Sequence, residues 1–258
     1  MPRRSRELAN SGFYHVIVRG NGRQVLFEDD AARHKFLDLL SSKVAESSVS
    51  ILAWCLMSNH VHIIVADAAS RLSEVFHKVC CAYAQYFNSR GSHVGHVFQD
   101  RFASHAIESE AYLLRAIRYV HDNPAKAGIC PASSYEWSSF REYVSSPVIT
   151  DTSIVLDILG GREGFQALMS SGLPNGYHFD GGARVSDQDA SDVARFVIES
   201  QVGLNVALGL VKALPTSIRS RLLSAMRREG LCIAQIERLT GIGSSTIKRA
   251  TVGCKLPA

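Results

Sequence analysis

Apolar and polar positions follow two rhythms along the chain. Phe13-Tyr14-His15-Val16-Ile17-Val18 is a run of aromatic and β-branched residues, and it predicts a strand. The run stops at Arg19-Gly20-Asn21-Gly22-Arg23, a basic loop dense in turn-forming residues. Asp29-Asp30 is placed to cap a helix, over which Phe36, Leu37, Leu39, Leu40 and Val44 recur at helical spacing. Val49 to Trp54 predicts a second strand and His60 to Ala66 a third, with Ser58-Asn59 as the polar break of the hairpin between them. A second helix is expected from about Leu72 to Phe87, apolar at Leu72, Val75, Phe76, Val79, Tyr83 and Phe87. Ala103 to Ile107 predicts a fourth strand. Glu110 opens a third helix, which is expected to end near Asp122 because Pro124 disfavours the α region at the residue before it.

The order strand, helix, two strands, helix, strand, helix predicts an α+β fold. It is the order of a ferredoxin-like or RRM-like split βαβ domain, an antiparallel sheet with its helices on one face. Asn123 to Tyr143, with Pro124, Gly128, Pro131 and several serines, reads as an irregular wrap that tucks Trp137 and Phe140 against this domain. One short helical segment is expected between about Ile154 and Gly176, and Tyr177 to Asp187 reads as a glycine-rich linker. From Asp189 the pattern is helical. Ile233 to Leu239, a turn at Gly241, then Ser244 to Arg249 follows helix-turn-helix grammar. There Ile236, Leu239, Ile242 and Ile247 would form a small core, the second helix would be Ser/Thr-capped, and Ser244, Ser245, Thr246, Lys248 and Arg249 would face DNA. The expected division is therefore residues 1–146, a linking region 147–188, and a helical DNA-binding region 189–258.

Composition narrows the class only slightly. The chain has 258 residues, 46% of them hydrophobic, enough for one large core or two small ones. A formal charge of +4 permits a nucleic-acid partner without requiring one. The first twelve residues read as a loose basic arm, with no apolar run of the kind a signal peptide carries. No stretch is apolar for long enough to span a membrane. The six cysteines lack zinc-site spacing, and Cys55 and Cys80 fall in apolar surroundings. A reducing cytoplasm is the simplest expected compartment.

The chemistry concentrates at His60-Val61-His62. Alternate strand residues share a face, so the two imidazoles project together and can form half of a metal site. A pair of surface histidines is the plainer reading of the spacing alone. Tyr119 and Asn123 are one helical turn apart and share a face. Asn123 could donate a carbonyl oxygen to a hard cation and Tyr119 could bring a phenol to a phosphorus. Taken alone Tyr119 reads as a core tyrosine, and Tyr112 competes with it, Tyr83 and Tyr86 more weakly. The Arg19–Arg23 loop can hold phosphate through its arginines and backbone amides, or be a solvated turn. Phe98 and Phe102 around Arg101 suit stacking on bases, although at least one reads better as core.

Several stretches together resemble the single-tyrosine HUH transposases of the insertion-sequence 200 type, and more closely those associated with repetitive extragenic palindromes. These stretches are Phe13-Tyr14-His15-Val16 with Arg19-Gly20-Asn21, Leu56 to His62, Gly95 to Phe102, Tyr112-Leu113-Leu114, Arg118 to Pro124, and Trp137-Ser138-Ser139-Phe140. They span roughly the first 145 residues. The resemblance implies that His60 and His62 are metal ligands, Asn123 the third ligand and Tyr119 the nucleophile. It implies Mg²⁺ or Mn²⁺ and a transesterification on single-stranded or hairpin DNA through a 5′-phosphotyrosine. Arg19, Arg23 and Arg101 would supply positive charge near the scissile phosphate, and the C-terminal region would engage duplex DNA. The resemblance covers both monomers and homodimers. Two positions depart from the family pattern: Ser58 stands where proline is usual, and Asp122 where leucine is usual. The rival class is a DNA-binding regulator without chemistry. Binding alone gives no reason for the set His60, His62, Tyr119 and Asn123.

Overall fold

The computed structural model describes residues 8–91, 95–171, 177, 179, 185, 187, 189–202 and 206–252. Most of the expected glycine-rich linker, the first seven residues of the expected basic arm, and Cys254 lie outside the described residues. The chain divides into two compact units, Met1–Ser171 and Gly172–Ala258.

The first unit is built on strands β1 (Phe13–Arg19), β2 (Ser50–Leu56), β3 (His60–Ala66) and β4 (Ala103–Ile107). They form one four-stranded sheet in the order β2-β3-β1-β4, antiparallel throughout. The helices are α1 (Asp30–Ala45), α2 (Leu72–Arg90) and α3 (Glu110–Lys126), then three short ones, α4 (Phe140–Val144), α5 (Ser153–Leu159) and α6 (Arg162–Ser170). Two short helices therefore stand where the pattern suggested one segment.

Strand alternation sorts the sheet into two different faces. Tyr14, Val16 and Val18 of β1 and Val61, Ile63 and Val65 of β3 share a core with Phe36 and Leu40 of α1 and Val75, Phe76, Val79 and Tyr83 of α2. Each such side chain, fully buried, contributes on the order of 1.5–3 kcal/mol of transfer free energy. The residues between them, His15 on β1 and His62 on β3, turn to the opposite face, where α3 lies against β2 and β3. This corrects the expected one-sided packing. Leu113, Ala116, Ile117 and Val120 give α3 its own buried stripe, so the sheet is covered on both sides and the histidine face is closed by a helix.

That helix also outlasts its expected end. It continues to Lys126 with Pro124 inside it. Proline removes the N–H that would bond the Val120 carbonyl. The Asn123 Nδ2 compensates, donating to the Tyr119 carbonyl at 2.8 Å and to the Val120 carbonyl at 3.4 Å. The bias against helix before proline is outweighed by this local replacement and by the buried stripe.

Ser58-Asn59 closes the β2–β3 hairpin, with the Met57 N–H donating to the His60 carbonyl at 2.9 Å. The loop after β1 holds the tip. The Ser58 carbonyl accepts from the N–H groups of Leu26 and Phe27, and the Asn59 carbonyl from that of Gly20. Gly20 is required here, since a Cβ would stand 2.3 Å from the Gln24 carbonyl oxygen. The wrap after α3 covers the exposed edge of β2, with Leu56 N–H bonded to the Trp137 carbonyl and Ser139 N–H to the Trp54 carbonyl. Glu142 ties this wrap down. Its Oε1 accepts from Trp54 Nε1 at 3.1 Å, and its Oε2 accepts from the backbone of Val148, Ile149 and Thr150 at 2.6–2.8 Å.

The second unit is helical among its described residues: α7 (Ala190–Val202), α8 (Thr216–Arg228), α9 (Ile233–Thr240) and α10 (Ser244–Ala250). Val193, Val197, Leu222, Met226, Ile236, Ile242 and Ile247 form its core, with Leu239 packed against it. Gly241, at φ 66°, ends α9 in the left-handed region. No hydroxyl caps α10. Gly243 is its N-cap, and the Glu237 Oε1 of α9 accepts the Ser244 N–H at 3.1 Å instead.

Candidate functional site

The site forms on the sheet face beneath α3. His60 and His62 project from β3 on the same side, their rings 4.9 Å apart between centroids. Asn59 sets the tautomer of His60. The Asn59 Nδ2 donates to the Arg23 carbonyl at 3.2 Å, an acceptor only, so its Oδ1 is the atom 2.7 Å from His60 Nδ1. A carbonyl oxygen cannot donate, so Nδ1 carries the proton and the ring lone pair is on Nε2. His62 is buried, with its Nδ1 3.0 Å from the Nε2 of His15.

The strand pattern gives no reason to single out His15 as a functional residue. A lone histidine among aromatic and β-branched residues reads as core, and His15 is indeed 0% exposed. The signal was available only through register. Ile17 pairs with His62 and His15 with Ile64 across β1 and β3, which puts His15 diagonal to His62 on one face.

Tyr119 lies on α3 above this pair. Its ring is 5.7 Å from His62 and 6.0 Å from His15 between centroids, edge-on to both. Lys126, two turns later, places its Nζ 4.3 Å from the Tyr119 ring centroid. Asn123 is half-buried one turn from Tyr119. Its Nδ2 is committed to backbone carbonyls, so Oδ1 is turned away from the helix backbone. Tyr112 is farther away. Its hydroxyl is 2.9 Å from Nε2 of His105 on β4, which is separated from β3 by β1. Tyr83 donates to the Leu26 carbonyl on the other side of the sheet, and burial pushes its phenol well above the usual range. Asp122 pairs with Arg118 at 3.4 Å, its carboxyl raised by burial against the pull of Arg118 and Lys126. Among the described residues no three His, Cys, Asp or Glu side chains are grouped to hold a metal ion, so Asp122 does not join the histidines.

The arginines separate. Arg19 ends β1 directly opposite His60, on the histidine face by alternation. Arg23 is exposed in the turn that holds Asn59, with φ 63°, left-handed for a non-glycine residue. Arg101 is exposed before β4, and no described contact brings it to the histidines. The segment around Phe98 runs beside the Arg19–Asn21 turn through bonds from Asn21 N–H to the Val97 carbonyl and from Gln99 N–H to the Arg19 carbonyl. Phe102 is buried in the α1–α2 core and Phe98 packs against it, so both aromatic rings serve packing.

In the second unit Ser245, Lys248 and Arg249 are exposed on α10, Ser244 and Thr246 are half-buried, and Ile247 faces the core. The short turn and second helix thus present one polar, basic side. Among the described residues no helix is long and apolar enough to cross a membrane.

Residues 9–123 match a family model described as "Transposase IS200 like". The fold is similar to the solved structure of a REP-associated tyrosine transposase bound to a REP hairpin, with a TM-score of 0.50 and 18% sequence identity, over 57% of this chain and 87% of that one. At that identity the likeness speaks for the fold. The comparison with curated proteins finds no match.

Proposed function

We propose, from the match of residues 9–123 to the IS200-like transposase family model, that the chain cuts and rejoins single-stranded DNA through Tyr119. One observation carries the reading: Tyr119 stands edge-on to His62, 5.7 Å between ring centroids, on the sheet face that also bears His60. A DNA-binding regulator needs neither the pair nor the tyrosine above it.

His60, His62 and the Oδ1 of Asn123 are the donors that would hold Mg²⁺ or Mn²⁺. The donor chemistry fits: His60 is fixed with its lone pair on Nε2, and the Asn123 amide is oriented by its Nδ2 bond. With neutral ligands only, affinity for the ion should be weak until a phosphate joins the shell. When bound, the ion supplies charge stabilisation at the scissile phosphate. Arg19 and Lys126 add positive charge on the same side, beside His60 and the Tyr119 ring respectively. The Tyr119 oxygen attacks phosphorus and a new P–O bond forms. The bond to the upstream 3′-oxygen breaks, and that oxygen leaves as a hydroxyl with the proton the phenol gives up. The 5′-phosphate remains on Tyr119, and attack by another 3′-hydroxyl reverses the step without an energy source. We read α9 and α10 as the part that grips duplex DNA, with Ser244, Ser245, Thr246, Lys248 and Arg249 on its contacting side.

The test is incubation with labelled hairpin-bearing single-stranded DNA and Mn²⁺. Wild type should nick the strand. Tyr119→Phe should bind it without nicking, and His60→Ala and His62→Ala should lose metal-dependent nicking. Undiminished nicking by Tyr119→Phe would contradict the reading.

A further inference from the structure

We propose that His15 is a positioning residue for the histidine pair: its Nε2 accepts the Nδ1 proton of His62 and so turns the His62 lone pair onto Nε2. The inference rests on the reading of His60 and His62 as metal ligands. His15 is 0% and His62 1% exposed. Their nitrogens are 3.0 Å apart, and their rings are tilted by 43° with centroids 5.1 Å apart. Two neutral imidazoles at that distance share one proton, so one ring donates and the other accepts.

The two arrangements have opposite consequences. If His15 donates, His62 carries its proton on Nε2, and the nitrogen on the far side of the ring cannot act as a ligand. If His62 donates, its lone pair is on Nε2, matching the state Asn59 imposes on His60. The second arrangement gives both histidines the same tautomer. A buried neighbour that accepts from the distal nitrogen of a ligating imidazole fixes its rotation as well as its proton. The backbone makes the contact rigid, because β1 and β3 are paired along their whole length. The His15 ring also touches the Tyr119 ring edge-on, 6.0 Å between centroids. It thus meets the imidazole from the neighbouring strand and borders the tyrosine that lies above both.

Two measurements on the full chain test this. Long-range ¹H–¹⁵N correlation spectra of metal-free wild type, at a pH where the rings are neutral, should find the His62 proton on Nδ1. A proton on Nε2 would overturn the proposal without any variant. Mn²⁺ binding followed by electron paramagnetic resonance provides the second. His15→Gln places an amide oxygen near the former Nε2 and should bind Mn²⁺ within a few-fold of wild type. His15→Phe keeps the ring volume without the acceptor and should bind about 10- to 100-fold more weakly. Equal binding by wild type and a folded His15→Phe would overturn the positioning role alone. Wild type that binds no Mn²⁺, even with hairpin DNA present, would overturn the metal reading beneath it.

Discussion

The contribution of a single residue here depends on which face it takes. His62 and Val61 are neighbours in sequence, yet one faces α3 and the other the α1–α2 core. Lys126 is a residue whose position only the extended α3 reveals. Replacing it with Ala should slow nicking by about tenfold or more if its charge meets the phosphate, while Lys126→Arg should keep most of the rate; equal rates in all three proteins would exclude it. His121 illustrates a different demand. It is wholly buried, bonded to Ser139 Oγ at 2.8 Å, and burial pushes its pKa down to about 3 against a smaller opposing pull from the Ile117 carbonyl. The unfolded chain then binds a proton that the folded one refuses between the ordinary histidine value, near 6.5, and about 3. Stability should be full above that window and fall as pH drops through it, by at most roughly 1.4 kcal/mol per unit of pH. Urea unfolding at pH 7 and pH 5 measures this, and the loss should shrink in His121→Gln. That His60 and His62 share a strand face was legible from their spacing, whereas a role for that pair and for Tyr119 came from the family resemblance, since spacing alone favours surface histidines and a core tyrosine. His15 was not legible, because its role exists only once β1 is paired to β3.

Among the elements, α3 departs most from expectation. Asn123-Pro124 reads as a helix end by local rules, and nothing local announces that the Asn123 side chain replaces the bond proline forfeits. The same amide is proposed as a ligand, so Asn123→Ala should cost both: about 1 kcal/mol of stability and most of the metal-dependent activity, whereas Asn123→Asp should retain metal binding. The four strands were legible from alternation and turn residues. That helices cover both sheet faces was not, since α3 carries its buried stripe whichever face it meets. Glu142, in the wrap, was invisible as an anchor. Glu142→Ala removes the acceptor of four N–H groups and should destabilise the fold by about 3 kcal/mol, read from the urea midpoint. For α10, replacing Lys248 and Arg249 together with Ala should lower the slope of log affinity against log salt on duplex DNA by about 2 if both contact phosphate.

Over the whole molecule, the chain forms two compact units joined near residue 171, and the functional proposals divide between them. A chain ending at Ser171 should still nick a good single-stranded hairpin substrate and should bind duplex DNA more weakly than the full chain. Equal duplex binding would contradict the assignment of α9 and α10. The charge of +4 is small, so affinity for DNA would have to come from where the cations stand rather than from their number. Which oxygen atom attacks phosphorus is decided by what remains attached to the protein. After reaction of the full chain with hairpin-bearing single-stranded DNA and Mn²⁺, the DNA-linked peptide can be isolated and sequenced by mass spectrometry. The expected product is a 5′-phosphate ester on Tyr119. An adduct on Tyr112, or cleavage that leaves both new ends free of protein, would contradict it.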